Sequence, residues 1–248
     1  GPSGLSAAYH LRRLGHDVVV RDAGPVAGGM MHFGIPAYRL PRAVLDAEVA
    51  RVAALGVRFE FNHTVENLEK DWTDGGFAAV FLAIGAHLSK RAHIPSCDAG
   101  RMLDAVSYLR DVEAGTPPVL GRRVAVYGGG NTAMDAARTA LRLGHEPLVI
   151  YRRDRAHMPA HDFEATEALE EGVQIHWLRA IAGLEEGALK VEIMALDADG
   201  RPRGTGEFET IGADALILAL GQETDTRFLR GIDGVVMRGD GTVEVDGA

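Results

Sequence analysis

The chain has 248 residues, 46% of them hydrophobic and 25% charged, with a formal net charge of −9; that size and composition suit one large or two modest globular domains with a sizeable core. The acidic balance argues against a nucleic-acid or anionic-membrane surface, both of which need basic patches, and no apolar run reaches the roughly 18 residues that span a bilayer. No basic-then-apolar leader opens the chain, and the single cysteine, Cys97, excludes an internal disulfide, a cysteine-ligated iron–sulfur cage and a Cys-x-x-Cys pair; the expectation is a cytosolic α/β protein.

The N-terminal stretch GPSGLSAAYHLRRLGHDVVVRDA (1–23) opens on the turn Gly1-Pro2-Ser3-Gly4 and continues with apolar residues three and four apart, which predicts a helix. A strand over 17–22 then ends on Asp22. This is the layout of a dinucleotide cradle, in which the turn faces a pyrophosphate and the acid holds a ribose hydroxyl. The strand and first glycine that should come before the turn are absent, so the chain is expected to begin inside a domain. A Gly-rich loop (23–41), a helix at about 41–55, the strand VRFEFN (57–62) and the strand AAVFLAIG (78–85), which stops on Gly85, follow in order. Cys97 lies in the polar loop IPSCDAG and reads as an unremarkable thiol. The Pro-rich turn GTPPVLG (115–121) marks a crossover.

A second cradle comes next. Strand RRVAVY (122–127) runs directly into Gly128-x-Gly130-x-x-Ala133, the strand–turn–helix context that makes this fingerprint credible. Gly128 permits the tight turn, Gly130 lets backbone amides approach a pyrophosphate, and small Ala133 lets the helix pack on its strand; the helix N-terminus then offers its donors to the phosphates. Strand PLVIYRR (147–153), a helix at about 161–171, strand VQIHWL (173–178), a hairpin-like region (189–211) with two polar, Gly-bearing turns, and strand ALILALG (215–221) complete the unit. The last residues leave it and return to the first unit, and TVEVDGA (242–248) reads as an element that does not continue.

The two cradles are copies of one design. One spacing separates Gly1 from Gly130 and Gly15 from Gly144, and FLAIGA (81–86) is echoed by ILALGQ (217–222). In this register Arg152 occupies the position of Asp22. An acid there would repel a nucleotide 2′-phosphate, whereas a guanidinium offers a planar fork matched to phosphate oxygens. Arg152 and Arg153, with Arg155 as a third candidate contact, therefore point to NADP(H). Asp22 marks the first cradle for an unphosphorylated ribose, which fits the ADP half of FAD. Hydride transfer between nicotinamide and flavin needs no side-chain acid or base, so the lack of a catalytic triad is expected. His157 and His161, four apart, lack a third metal ligand and flank Pro159, so no metal site is expected; His176 reads as a packed strand residue, and 164–171 as a solvated helix face.

The segments 28–62 (GGMMHFGIPAYRLPRAVLDAEVARVAALGVRFEFN), 128–144 (GGGNTAMDAARTALRLG), 151–160 (YRRDRAHMPA), 170–173 and 216–222 (LILALGQ) together resemble the glutamate synthase small (beta) subunit and its relatives. Those relatives include the flavin/NADPH portion of dihydropyrimidine dehydrogenase and the NADPH-binding subunit of bifurcating ferredoxin:NADP oxidoreductases. The resemblance implies two Rossmann-like α/β units with parallel sheets and β-meander crossovers, the NADPH unit inserted in the FAD unit, and electrons passed from flavin to iron–sulfur clusters in a missing region or a partner such as a large catalytic subunit. It implies an FAD domain over 1–118, an NADPH domain over 119–224 and a return segment over 225–248. By the same resemblance Gly1, Pro2, Ser3 and Gly4 form the FAD pyrophosphate loop and Asp22 the ribose acid. Gly29 and Met30 lie along the FAD, Arg39 contacts it, Val65 meets the adenine with its backbone, and Gly85 ends the paired strand. Gly128, Gly130, Asn131, Thr132 and Ala133 form the NADPH turn, Arg152 and Arg153 the 2′-phosphate site, and Ala219 to Gly221 the nicotinamide side. The iron–sulfur cysteines, the first FAD strand and the C-terminal Gly-Asp motif of this group are absent from the chain. The competing expectation is a non-catalytic NADP-binding module whose flavin site cannot close; a thioredoxin-reductase-like enzyme is disfavoured by the lack of a cysteine pair.

Overall fold

The computed structural model describes residues 1–90, 94–95, 102–185 and 187–245, and Cys97 lies outside them. The chain divides into two compact units, one made of Gly1–Leu88 with Gln222–Ala248 and the other of Ser89–Gly221.

In the first unit, helix α1 (Pro2–Arg13) starts with proline at its first position, where the missing N–H has no helical partner to lose. Its last turn carries His10, Arg12 and Arg13, which complement the negative end of the helix dipole. Strand β1 (Val19–Arg21) follows, then the single turn α2 (Met30–Phe33), helix α3 (Arg42–Ala54), strand β2 (Arg58–Glu60) and helix α4 (Leu68–Asp74). β1 and β2 pair in parallel, with Val19 opposite Arg58 and Arg21 opposite Glu60. Arg12 ties the layer together: its guanidinium donates to the Leu55 carbonyl just beyond α3 and to Asp17, each at 2.7 Å.

One expected strand is not formed. Residues 79–87 carry no regular structure, and Val80, Phe81 and Leu82 are exposed, Phe81 at 62%. An apolar run becomes a strand only where a neighbour supplies ladder partners, and among the described residues none pairs with 78–85. The two-residue strands β3 (Leu88–Ser89) and β12 (Gln222–Glu223) stand where the chain changes units.

The second unit begins earlier than the sequence indicated. Strand β4 (Met102–Asp104) and helix α5 (Ala105–Glu113), expected within 1–118 of the first unit, pack in the second. β4 pairs in parallel with β11 (Ala215–Leu218), Leu103 opposite Ile217, and α5 buries Ala105, Val106, Tyr108 and Leu109. The overlooked signal is Asp104, whose carboxylate accepts the Ser107 amide at 2.9 Å and so caps α5. The remaining elements are β5 (Arg123–Tyr127), α6 (Asn131–Arg142), β6 (Glu146–Tyr151), α7 (Asp162–Glu170), β7 (Gln174–Trp177), β8 (Arg179–Glu185), β9 (Ala188–Leu196) and β10 (Pro202–Gly212).

A parallel five-stranded sheet in the order β4-β11-β5-β6-β7 forms the middle layer. Alternation along β5 explains its burial on both faces. Val124 and Val126 join Met134, Ala136, Ala137 and Ala140 of α6 in one core cluster. Ala125 points the other way, into a cluster with Leu148, Ile150, Leu184, Leu189 and Val191, the last three of which come from the antiparallel sheet β10-β9-β8. That meander contains more than the expected hairpin: β8 is a third strand, and the second Gly-bearing segment is a register shift between Gly204 and Phe208, not a turn.

Candidate functional site

Strand order fixes where a ligand can enter the second unit. From β5 the sheet runs through β6 to β7 on one side, and then returns to β11 on the other, so β5 and β11 flank a topological switch point, where ligands of open α/β sheets sit. Gly128 and Ala219 lie at its mouth. The Ala219 amide donates to the Tyr127 carbonyl at 2.8 Å, and the Gly128 amide to Ile150 at 3.1 Å. A Cβ on Gly128 would collide with the Ala219 carbonyl, which is the physical demand for glycine here.

Gly130 is different. Open space surrounds the position its Cβ would take, and it caps α6 without any side-chain hydrogen bond. The first helical hydrogen bond runs from the Ala133 amide to the Gly130 carbonyl at 2.9 Å, so the amides of Asn131 and Thr132 precede it and remain for a ligand. Ala133 is fully buried. The side chain of Asn131 turns elsewhere, its oxygen accepting the His161 amide at 3.0 Å.

Arg152 and Arg153 follow directly on the end of β6, one strand from the glycine turn. Among the described residues neither guanidinium has a hydrogen-bond or ion-pair partner; Arg152 is exposed, and Nε of the half-buried Arg153 is buried without one. Most buried donors are paired, and a net-acidic chain offers carboxylates in plenty, as Arg138 and Arg142 show. Burial pushes the Tyr127 and Tyr151 phenols up; Arg152 works against that at both rings, and Arg153 at Tyr151. The two positive charges thus stand close to the end of β5 and β6. Arg155 does not join them: it is exposed and donates to Thr166 of α7 at 3.0 Å. Gly221 takes a left-handed φ of +97° and accepts the Lys90 amide at 2.9 Å.

In the first unit the contacts bring Gly1 to Gly29 and the 62–65 loop to Asp22, whereas the contacts of Met30 with Gly34 and of the Arg39 amide with Pro36 are local. Gly29 has φ of +55°, and its Cβ would come within 2.8 Å of Gly1 Cα, so the two backbones touch. Pro2 and Ser3 are exposed on the first turn of α1, and Gly4 faces Ala83, which places 83–85 beside that turn. One oxygen of Asp22 accepts the Gly24 amide at 2.8 Å. The Asp22 carbonyl accepts the His63 amide at 3.0 Å, bringing the 62–65 loop with half-buried Val65 alongside. This loop is braced by Arg21, which bonds Glu60 and Asp71 at 2.8 and 2.9 Å, while Asp71 also bonds His63 at 2.9 Å. The Arg21 guanidinium holds the Glu60 carboxyl below its usual range. Met30 folds towards Gly34; Arg39 is half-buried, its amide bonding Pro36 at 3.0 Å.

Sequence reasoning overlooked what holds the 152–161 segment. The Ala160 amide donates to the Gly129 carbonyl at 2.9 Å, and Tyr151 donates to the His157 carbonyl at 2.7 Å. Behind it, Arg138 is 5% exposed and bonds Glu164, Glu167 and Glu171, fastening α7 to α6. Glu164 is fully buried, contrary to the expected solvated face. The signal lies in the run 151–160, where sequence reasoning reads the arginines for phosphate and weighs His157 for a metal, and passes over Tyr151. Among the described residues no three His, Cys, Asp or Glu side chains converge on a metal position; the His157 ring bonds Asp154 and that of His161 stacks on Phe163.

The family model for pyridine nucleotide-disulphide oxidoreductases matches residues 1–248. The chain belongs to the pyridine nucleotide-disulphide oxidoreductase family. It is 42% identical to the NADP(+)-dependent formate dehydrogenase subunit beta of Moorella thermoacetica, across 99% of this chain and 37% of that one. It is 33% identical to the glutamate synthase (NADPH) small chain of Azospirillum brasilense, across 91% of this chain and 52% of that one. The chain thus spans about a third to a half of the length of these relatives. FprA from Mycobacterium tuberculosis shares the fold, with a TM-score of 0.74 at 16% identity over 88% of this chain and 68% of that one. The expected family, the mixed α/β fold with its parallel sheet, and FAD and NADP(H) as the cofactors that go with this family agree with these findings. No helix among the described residues is long and apolar enough to cross a membrane.

Proposed function

We propose that this oxidoreductase binds NADP(H) in the second unit and FAD in the first, and forms the NADPH-linked flavin portion of an enzyme that passes electrons to an iron–sulfur domain or catalytic subunit. The observation that carries the reading is the pair of guanidiniums, Arg152 and Arg153, which have no partner among the described residues and stand beside a glycine turn with open space in front of Gly130. A ligand with a pyrophosphate and a 2′-phosphate fits both features: the amides of Asn131 and Thr132 would take the former, Arg152 and Arg153 the latter. In the first unit the amides of α1, Asp22 and the 62–65 loop would hold the adenosine half of FAD. Bound FAD would supply the hydride acceptor or donor for the nicotinamide; the protein's part is to bind, orient and exclude water. The names of the relatives support NADP and an electron-transferring assembly, and within that range we favour a role like that of a glutamate synthase small chain.

Arg152→Asp tests the cofactor assignment. A charge-assisted hydrogen bond contributes about 1.5–3 kcal/mol, so NADPH binding weakens by roughly tenfold or more, while NADH binding is unchanged. Equal loss for both nucleotides would reject the 2′-phosphate role. Visible flavin absorbance in the purified protein, bleached by NADPH, supports the oxidoreductase as a whole; colourless protein that binds NADPH would reduce the reading to a nucleotide-binding module.

A further inference from the structure

Tyr151 is the last residue of β6 and only 7% exposed. Its ring lies against Gly129, where any Cβ would collide with the ring edge, and edge-on to Trp177 at 6.3 Å. Its hydroxyl reaches forward to the His157 carbonyl at 2.7 Å. The short helical turn at Arg155–His157 is itself capped by Asp154, whose oxygen accepts the His157 amide at 3.0 Å and bonds the ring Nδ1 at 2.7 Å. Three residues later the Ala160 amide returns to the Gly129 carbonyl. The excursion bearing Arg152 and Arg153 is therefore closed at its start by one phenol and at its end by one amide, and both closures bear on Gly129 in the phosphate turn. Between these two closures the Arg153 carbonyl accepts the Leu178 amide at 3.0 Å, while neither guanidinium has a side-chain partner among the described residues.

We propose that Tyr151 is a positioning residue for nucleotide selectivity: through His157 it sets the placement of the Arg152–Arg153 corner relative to the glycine turn, and so the preference for a 2′-phosphorylated nucleotide. The inference rests on the assignment of those arginines to the 2′-phosphate. Tyr151 touches no part of the ligand in this scheme. Loop order matters because a fork-shaped donor gains from its phosphate only when held in register, the entropy of holding it being met before binding.

The test is Tyr151→Phe, which keeps the ring against Gly129 and Trp177 and removes only the hydroxyl. Thermal melting confirms that the variant folds, and titrations with NADPH and NADH measure selectivity. One neutral hydrogen bond sets the scale, so NADPH binding falls about three- to tenfold with NADH binding unchanged. In an Arg152→Asp, Arg153→Asp background the same substitution has no further effect on NADPH. Equal weakening of both nucleotides, or an undiminished effect in the double-Asp background, would overturn the positioning role and leave Tyr151 a general support. If Arg152→Asp alone fails to alter the NADPH-to-NADH ratio, the assignment of the arginines fails, whatever Tyr151→Phe does. If Arg152→Asp alters it and Tyr151→Phe does not, only the present inference falls.

Discussion

Arg138→Ala should damage the second unit far beyond what a surface arginine would. The Arg138 side chain is 5% exposed and meets Glu164 at 3.5 Å, Glu167 at 2.9 Å and Glu171 at 2.6 Å, with Glu164 at 0% exposure. Removing the cation breaks the ion pair between Arg138 and the buried Glu164, a loss of about 3–5 kcal/mol; for a chain of this size that lowers the melting midpoint by roughly 6–20 °C. Urea unfolding followed by Trp177 fluorescence in a Trp72→Phe background reports on this unit. The pH dependence gives an independent check. Bonds from Arg142 and Arg138 hold the Glu171 carboxyl down at about 2, below its ordinary value of 4.5. A depressed carboxylate contributes stability that is fully present above the unfolded value and lost as pH falls through the folded one. The gap between wild type and Arg138→Ala should accordingly narrow as pH drops from about 4.5 towards 2. A loss under about 1 kcal/mol, the range of solvated surface pairs, or a gap independent of pH across that window would refute the buried-cluster account.

Two further outcomes follow from the glycine turn and the acid of the first unit. Gly128→Ala sets a methyl against the Ala219 carbonyl, which costs about 1–3 kcal/mol of overpacking; it should weaken NADPH and NADH alike, in contrast to Arg152→Asp, and wild-type titration curves would show that the close approach is relieved at no cost. Asp22→Ala removes the carboxylate that we propose holds the FAD ribose and should lower flavin retention, read as visible absorbance per protein, without altering NADPH titration; unchanged flavin content would disconnect Asp22 from FAD.

Where the sequence was legible, the cause was local and covalent. Glycine at 128 and 130, a helix of twelve residues behind each turn, and the exchange of Asp22 for Arg152 are set by backbone sterics and by charge, which do not wait for a partner. The helices at 42–54 and 162–170 kept close to their expected bounds, and in 131–142 the spacing of the apolar residues already defines a buried face. What only the tertiary structure decided were matters of partnership. VFLAIG and LILALG are almost the same string, yet the second lies between β4 and β5 while the first forms no strand and exposes Val80, Phe81 and Leu82, since a strand exists only with a ladder beside it. Residues 102–113 joined the second unit because β11 offered β4 an edge. Glu164 looked like solvated surface until Arg138 of a neighbouring helix buried it, and Tyr151 read as an inner residue of a strand over 147–153 until folding ended the strand at it and set its ring against Gly129 and its hydroxyl on the His157 carbonyl. Periodicity and charge belong to the residue and its immediate neighbours, whereas hydrogen-bond partners and counter-ions are supplied by segments distant in the chain, which only folding brings within reach.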